Sequence, residues 1–228
     1  MLQVDLFGEP VEPRPAPPAG AAAPDDLYSL PDFEESLGRF DTVAELGGFA
    51  QGCHRCGLRA GCSRVVFGEG PEDAALVLIG EGPGANEDQQ GRPFCGRAGD
   101  LLDRILAAVG FRREDVYVSN VVLCRPPGNR APSDGEMAAC RPWLERRLQL
   151  LRPRVVVALG ATAARALLHP QARITQVRGQ WHRRGEAWIM PTFHPAALLR
   201  DPSKKRPVWE DFQQVREVCL RLDAPAGG

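Results

Sequence analysis

Four stretches of the chain, residues 75–79, 116–122, 155–159 and 187–190, are short runs of β-branched and other apolar residues. Their apolarity is continuous rather than alternating, as in strands buried on both faces, which predicts a mostly parallel sheet covered by helices. Residues 98–109, 134–151, 161–168 and 209–222 carry apolar side chains at helical spacing. The succession predicts an α/β chain, a three-layer α/β/α sandwich around a central, mostly parallel, four-stranded sheet. Ligand sites of such folds collect at the carboxyl ends of the strands.

Upstream the pattern changes. Phe33, Leu37, Phe40, Val43, Ala44 and Leu46 recur at helical spacing and predict a helix or two over residues 32–49, packed on the body. Residues 8–24 hold six prolines and little to bury, and residues 8–31 are expected to be an extended, disordered, acidic linker. A disordered tail is expected over 223–228. The 228 residues suffice for one sizeable core, over 32–222, and are short for two. No run approaches the ~20 apolar residues of a membrane helix. The first residues lack the basic and apolar regions of a secretory signal. The expectation is a cytoplasmic monomer away from membranes, with its seven cysteines reduced.

The net charge of −1 argues against a polyanionic partner, because nucleic-acid binding is led by phosphate neutralisation. That average hides a division. Residues 1–50 carry two basic residues against ten acidic ones, a net −8, and the rest carries 26 against 19, a net +7. A basic body stands behind an acidic arm.

Polar chemistry gathers after three of the four strands. The first runs into Gly80-Glu81-Gly82-Pro83-Gly84-Ala85-Asn86-Glu87-Asp88, then Gly91-Arg92-Pro93-Phe94-Cys95-Gly96. Its glycines let backbone approach a ligand, and a strand-to-helix turn offers amide donors to an anion or a carbonyl oxygen. The loop lacks the ending of a P-loop and the dinucleotide glycine spacing, and taken alone it is equally a surface turn. The second strand contains Asn120, whose amide can offer a donor and an acceptor to a base edge. It leads to Cys124-Arg125-Pro126-Pro127-Gly128-Asn129-Arg130. The fourth leads to Phe193-His194-Pro195-Ala196, with His194 where a substrate would bind and Pro195 where a short helix can open.

Cysteine spacing is the sharpest local signal. Cys53-His54-Arg55-Cys56 comes early, and Cys124 and Cys140 follow, separated by fifteen residues. Two pairs from distant segments can close a four-thiolate site for zinc or an iron–sulfur cluster, and thiolate count does not choose between them. Cys62 could compete as a ligand, whereas Cys95 and Cys219 are expected to be unligated. Independent buried cysteines are the alternative.

In order and spacing, Cys53-x-x-Cys56, Gly80-Glu81-Gly82-Pro83-Gly84 with Glu87-Asp88, Gly91-Arg92-Pro93-Phe94, Asn120 with Cys124-Arg125-Pro126-Pro127 and Asn129-Arg130, Cys140, and His194-Pro195-Ala196 closely resemble the family 4 uracil-DNA glycosylases. The resemblance spans about residues 50–222. It implies the uracil-DNA glycosylase fold and a structural 4Fe–4S cluster on Cys53, Cys56, Cys124 and Cys140, with no magnesium or nucleotide. The implied reaction is hydrolysis of the N-glycosidic bond of uracil flipped out of single- or double-stranded DNA, leaving an abasic site for base excision repair.

The same resemblance assigns the backbone of Glu81, Gly82 and Pro83 to the uracil carbonyls and the attacking water. Phe94 would stack on the base, Asn120 would read its O4 and N3 edge, and Glu87 would wall off a thymine methyl. His194 would stabilise the charge that develops on O2 as the bond breaks. Distant relatives place an Asp where this chain has Gly82, so Glu81, Glu87, Asp88 and backbone carbonyls are the candidates to orient water. Leu198 and Leu199 are candidates for a wedge in the space of the flipped base, equally readable as helix-core leucines. Arg200, Lys204, Lys205 and Arg206 are candidates for phosphate binding. Two rival readings are a glycosylase-fold protein that binds without efficient hydrolysis and a zinc-stabilised nucleic-acid-binding module.

Gln3-Val4-Asp5-Leu6-Phe7 resembles the bacterial sliding-clamp-binding peptide, Gln-Leu-Asp/Ser-Leu-Phe, departing only at Val4. Gln3, Asp5, Leu6 and Phe7 on a long linker can reach a groove without moving the core. The expected partners are uracil-containing DNA and the clamp, with the protein associated with the nucleoid.

Overall fold

The computed structural model describes residue 33 and residues 37–223. Residues 3–7, the linker over 8–31 and residues 224–228 lie outside the described residues.

Five strands form one sheet, β1 (Leu76–Gly80), β2 (Tyr117–Asn120), β3 (Val155–Leu159), β4 (His182–Arg184) and β5 (Ala187–Thr192), in the order β2-β1-β3-β5-β4. β1 lies parallel to β2 and β3, and β3 lies parallel to β5. The expected four strands are all present; β4, antiparallel to β5 through the turn at Gly185, is the correction. Its three residues, His182-Arg183-Arg184, are charged or polar and stand at the sheet edge, so they carry no apolar run to read.

Nine helices are described: α1 (Val43–Ala50), α2 (Leu58–Gly61), α3 (Ala85–Gln90), α4 (Arg97–Ala108), α5 (Asp134–Leu151), α6 (Ala161–Leu167), α7 (Ile174–Val177), α8 (Pro195–Arg200) and α9 (Lys205–Asp223). Strand side chains alternate between two cores. Val77, Ile79, Val156, Ala158 and Ile189 meet α1, α5 and α6 on one face. Leu76, Leu78, Val155, Val157 and Met190 meet α4, α8 and α9 on the other, through Leu102, Leu198, Phe212 and Val215. Burying each large side chain contributes ~1.5–3 kcal/mol, which fixes strand register from both sides.

Several boundaries differ from expectation, β2 being shorter than the run 116–122 and β5 reaching Thr192. α9 starts at Lys205, four residues early, because Lys205-Arg206-Pro207 carries no apolar periodicity, and it reaches Asp223 in the expected tail. The Gly-rich run after β1 contains α3, whose first turn is capped when Glu87 Oε2 accepts from the Gly84 amide at 3.1 Å. No described helix is long and apolar enough to cross a membrane.

Candidate active site

The carboxyl ends of β1, β2, β3 and β5 open on one cleft of about 630 Å³, a size typical of small-molecule sites. It gathers Glu81, Gly82, Pro83, Glu87, Phe94, Asn120 and His194, the residues expected to handle the base.

Its floor depends on Gly80. A Cβ there would lie 2.5 Å from Asn120 Oδ1 and 2.6 Å from Phe94 Cζ, so only glycine lets both side chains stand where they do. Asn120 is 1% exposed, and its Oδ1 is buried with no hydrogen-bond partner. Such an acceptor costs ~1–3 kcal/mol until something donates to it, and this one belongs to a residue that lines the cleft. The Asn120 carbonyl accepts from Arg147 at 3.0 Å, and the same guanidinium reaches the Phe67 carbonyl at 2.6 Å. Phe94 sits at φ 51°, a strained conformation for a bulky residue, with its carbonyl pressed against Gly99.

His194 is the N-cap of α8. Its Nδ1 accepts from the Ala196 amide at 3.1 Å, which leaves Nε2 as the donor of the neutral ring. Burial pushes its pKa down to about 4, helped by the charge of Arg200. Two residues earlier, Thr192 donates to buried Asp211 at 2.5 Å, and Arg178 grips the same carboxylate at 2.6 and 3.2 Å. Burial raises the Asp211 carboxyl to about 6, against the opposing pull of Thr192 and Arg178. This ion pair anchors the loop that carries His194.

The candidate carboxylates separate by their partners. Asp88 is buried outside the cleft, and its Oδ1 accepts from the Ser63 and Arg64 amides at 2.8 and 3.3 Å. It fastens α3 to the cysteine segment and is removed as a water-orienting group. Glu87 lines the cleft, but its Oε1 accepts from the Cys95 and Gly96 amides at 3.1 Å each while Oε2 serves Gly84. It clamps the Gly-rich loop to the Phe94 loop. Glu81 remains, with Thr162 donating a short hydrogen bond to its Oε2. At Gly82 a Cβ would meet Val122 Cγ2 at 2.7 Å, so the local packing opposes the Asp that distant relatives carry.

The DNA-facing assignments hold unevenly. Leu198 is 2% exposed in the core under α9, which corrects its assignment to the wedge; Leu199 is exposed. Arg200 and Lys204 line the cleft, whereas Lys205 and Arg206 do not. Lys204 pairs with Asp201 at 2.6 Å, and Arg206 pairs with Glu210 at 3.3 Å. Sequence reasoning missed Thr162. It lies just past the carboxyl end of β3, where sites in this architecture collect, but Gly160-Ala161-Thr162 carries no charge or motif.

A second, apolar pocket beside Leu58, Val65 and Leu123 is lined by Cys53, Cys56, Cys124 and Cys140, all free thiols. Burial raises the Cys124 thiol strongly and that of Cys140 to about 12. Cys62 does not line the pocket, but its thiol reaches the Cys124 thiol, and its Sγ also donates to the Arg59 carbonyl at 3.7 Å, so it stays a neighbour of the four-cysteine group. Among the described residues, no three His, Cys, Asp or Glu side chains stand close enough to grip one metal ion. Arg147, two helical turns after Cys140, is fully buried, with the Cys140 thiol among the groups acting on its charge.

A three-layer α/β/α domain with a cleft at the carboxyl edge of its sheet, large enough for a base and floored by an unpartnered amide oxygen, has the make-up of an enzyme that can handle a nucleobase. Residues 67–213 match the Uracil DNA glycosylase superfamily, and the chain belongs to it. It is similar to the Type-4 uracil-DNA glycosylase of Thermotoga maritima, 46% identical over 175 residues that cover 74% of this chain and 90% of the relative. The Type-4 enzyme of Sulfurisphaera tokodaii is 38% identical over 177 residues, 74% and 80% of the two chains. That of Archaeoglobus fulgidus is 39% identical over 176 residues, 73% and 88%.

Proposed function

We propose that the protein is a monofunctional uracil-DNA glycosylase that starts base excision repair by removing uracil from DNA. The observation that carries the reading is the buried, unpartnered Asn120 Oδ1 on the cleft floor, with His194 and Glu81 around it. Asn120 Oδ1 accepts from uracil N3–H, and its amide nitrogen donates to O4; cytosine, with an amine in place of O4, presents the wrong group.

In the reaction, a water oxygen bonds to C1′ as the bond from C1′ to uracil N1 breaks. The bonding pair leaves with uracil, and charge spreads to O2. His194 Nε2–H donates to that oxygen, an interaction that strengthens only as the charge develops. The water's proton passes to Glu81. Release of free uracil and an alkali-labile site from U·G, U·A and single-stranded oligonucleotides tests the reading; binding without release would favour the non-hydrolysing rival.

Cys53, Cys56, Cys124 and Cys140 would hold a 4Fe–4S cluster. The soft sulfur donors suit it, as does the buried positive charge of Arg147, on which the Cys140 thiol acts. When bound, the cluster supplies thiolate-held cross-links between the segments of residues 53–56, 124 and 140, with no electron transfer needed for hydrolysis. Iron content and broad absorbance near 400 nm test it; colourless protein carrying zinc would overturn it.

Residues 3–7 would tether the enzyme, a monomer, to the sliding clamp at the nucleoid. Equal binding of purified clamp by the intact chain and by Leu6→Ala/Phe7→Ala would refute the tether.

A further inference from the structure

Thr162, the second residue of α6, is 2% exposed, and its Oγ1 donates a short hydrogen bond across the cleft edge to Glu81 Oε2. Among the described residues this is the one hydrogen bond made by that carboxylate. The hydroxyl is held firmly. A β-branched side chain in a helix has few rotamers, and the turn before it is tied down where the Gly160 amide donates to the Thr192 carbonyl at 2.8 Å. Gly160 has φ 93°, and a Cβ added there would stand 3.0 Å from His194 Cβ, so the turn packs directly against the His194 loop.

We infer that Thr162 is a positioning residue for hydrolysis, its hydroxyl committing one oxygen of Glu81 and leaving the other for the attacking water at a fixed distance from the His194 loop. The inference rests on the role of Glu81 proposed above. A glutamate on a loop has three rotatable bonds, and small displacements of a water-orienting group cost large factors in rate. The bond to Thr162 removes that freedom before substrate arrives. Because Thr162 does not line the cleft, its loss acts on kcat rather than on base binding.

The test uses the full chain and single-uracil DNA under single-turnover and steady-state conditions. Thr162→Val should lower kcat about tenfold with KM unchanged within twofold, and Thr162→Ser, which keeps the hydroxyl, should restore most of the rate. In a double-mutant cycle, Thr162→Val should add nothing to Glu81→Ala, since the hydroxyl then has no carboxylate to hold. Thr162→Ala replaces the valine variant if that variant does not fold.

Glu81→Ala slow, with Thr162→Val at the wild-type rate, would overturn this inference alone. So would valine and serine variants that are equally impaired, or losses that multiply in the double variant. Glu81→Ala at the wild-type rate would overturn the reading of Glu81 and this inference with it.

Discussion

The rings of Phe94 and His194 stack with an offset, centroids 5.4 Å apart and planes 26° from parallel. That is the separation of a directly stacked pair, so no base can be sandwiched between them. Uracil must use the part of the Phe94 face that His194 leaves open. Stacking of a base on an aromatic ring contributes ~1–3 kcal/mol. Phe94→Ala is therefore expected to raise KM for uracil DNA about tenfold and to weaken inhibition by free uracil in parallel, as measured by steady-state kinetics. An unchanged KM would remove Phe94 from the binding site.

His194 has a pKa of about 4 in the fold, below the ~6.5 of an unfolded histidine. A depressed pKa contributes stability that is fully present above pH 6.5 and is lost as pH falls through 4, up to ~3 kcal/mol. The pH dependence of thermal melting should thus be steeper between pH 6.5 and 4 in the wild type than in His194→Asn. The same neutrality means that kcat should show no histidine limb between pH 5.5 and 8. The variant should lose ~10²–10³ in rate, the effect of removing one oxyanion donor.

Buried Asp211 and partly exposed Arg178 form an ion pair that holds Thr192, two residues from His194. Asp211→Asn leaves Arg178 without an anion, a change that costs ~3–5 kcal/mol where a buried pair is broken. Chemical denaturation should show a loss near the low end, since Arg178 is partly exposed. A loss under 1 kcal/mol would mean that the pair does not anchor the loop.

On the DNA side, Arg200 faces the cleft while Arg206 is already paired with Glu210. Removing a side chain that neutralises one phosphate should reduce the salt-dependence slope by ~0.9. Arg200→Ala should show that drop and Arg206→Ala much less of it, in binding titrations from low to physiological salt.

Much of this was legible in the sequence because buried parallel strands announce themselves. Val155 to Leu159 is apolar throughout, and all five residues are buried. His182-Arg183-Arg184 pairs at an edge with polar and charged side chains, Arg183 lying over the Trp188 ring, and leaves no apolar pattern. At the site, glycines and single polar residues after strands located the cleft, but they did not reveal which carboxylate is free. Glu81, Glu87 and Asp88 look equivalent in sequence and differ only in the amides and the hydroxyl that reach them. Thr162 needed the crossing from β3 to be seen. Leu198 and Leu199 are adjacent and alike, and helix phase alone sends one into the core.

Whether Asn120 and His194 carry the reaction is decided by single-turnover uracil release from a U·G duplex, measured for the wild type, Asn120→Ala and His194→Ala. The wild type should release free uracil rapidly, and each variant should lose at least about 100-fold with folding preserved. Variants that release uracil as fast as the wild type would contradict both assignments.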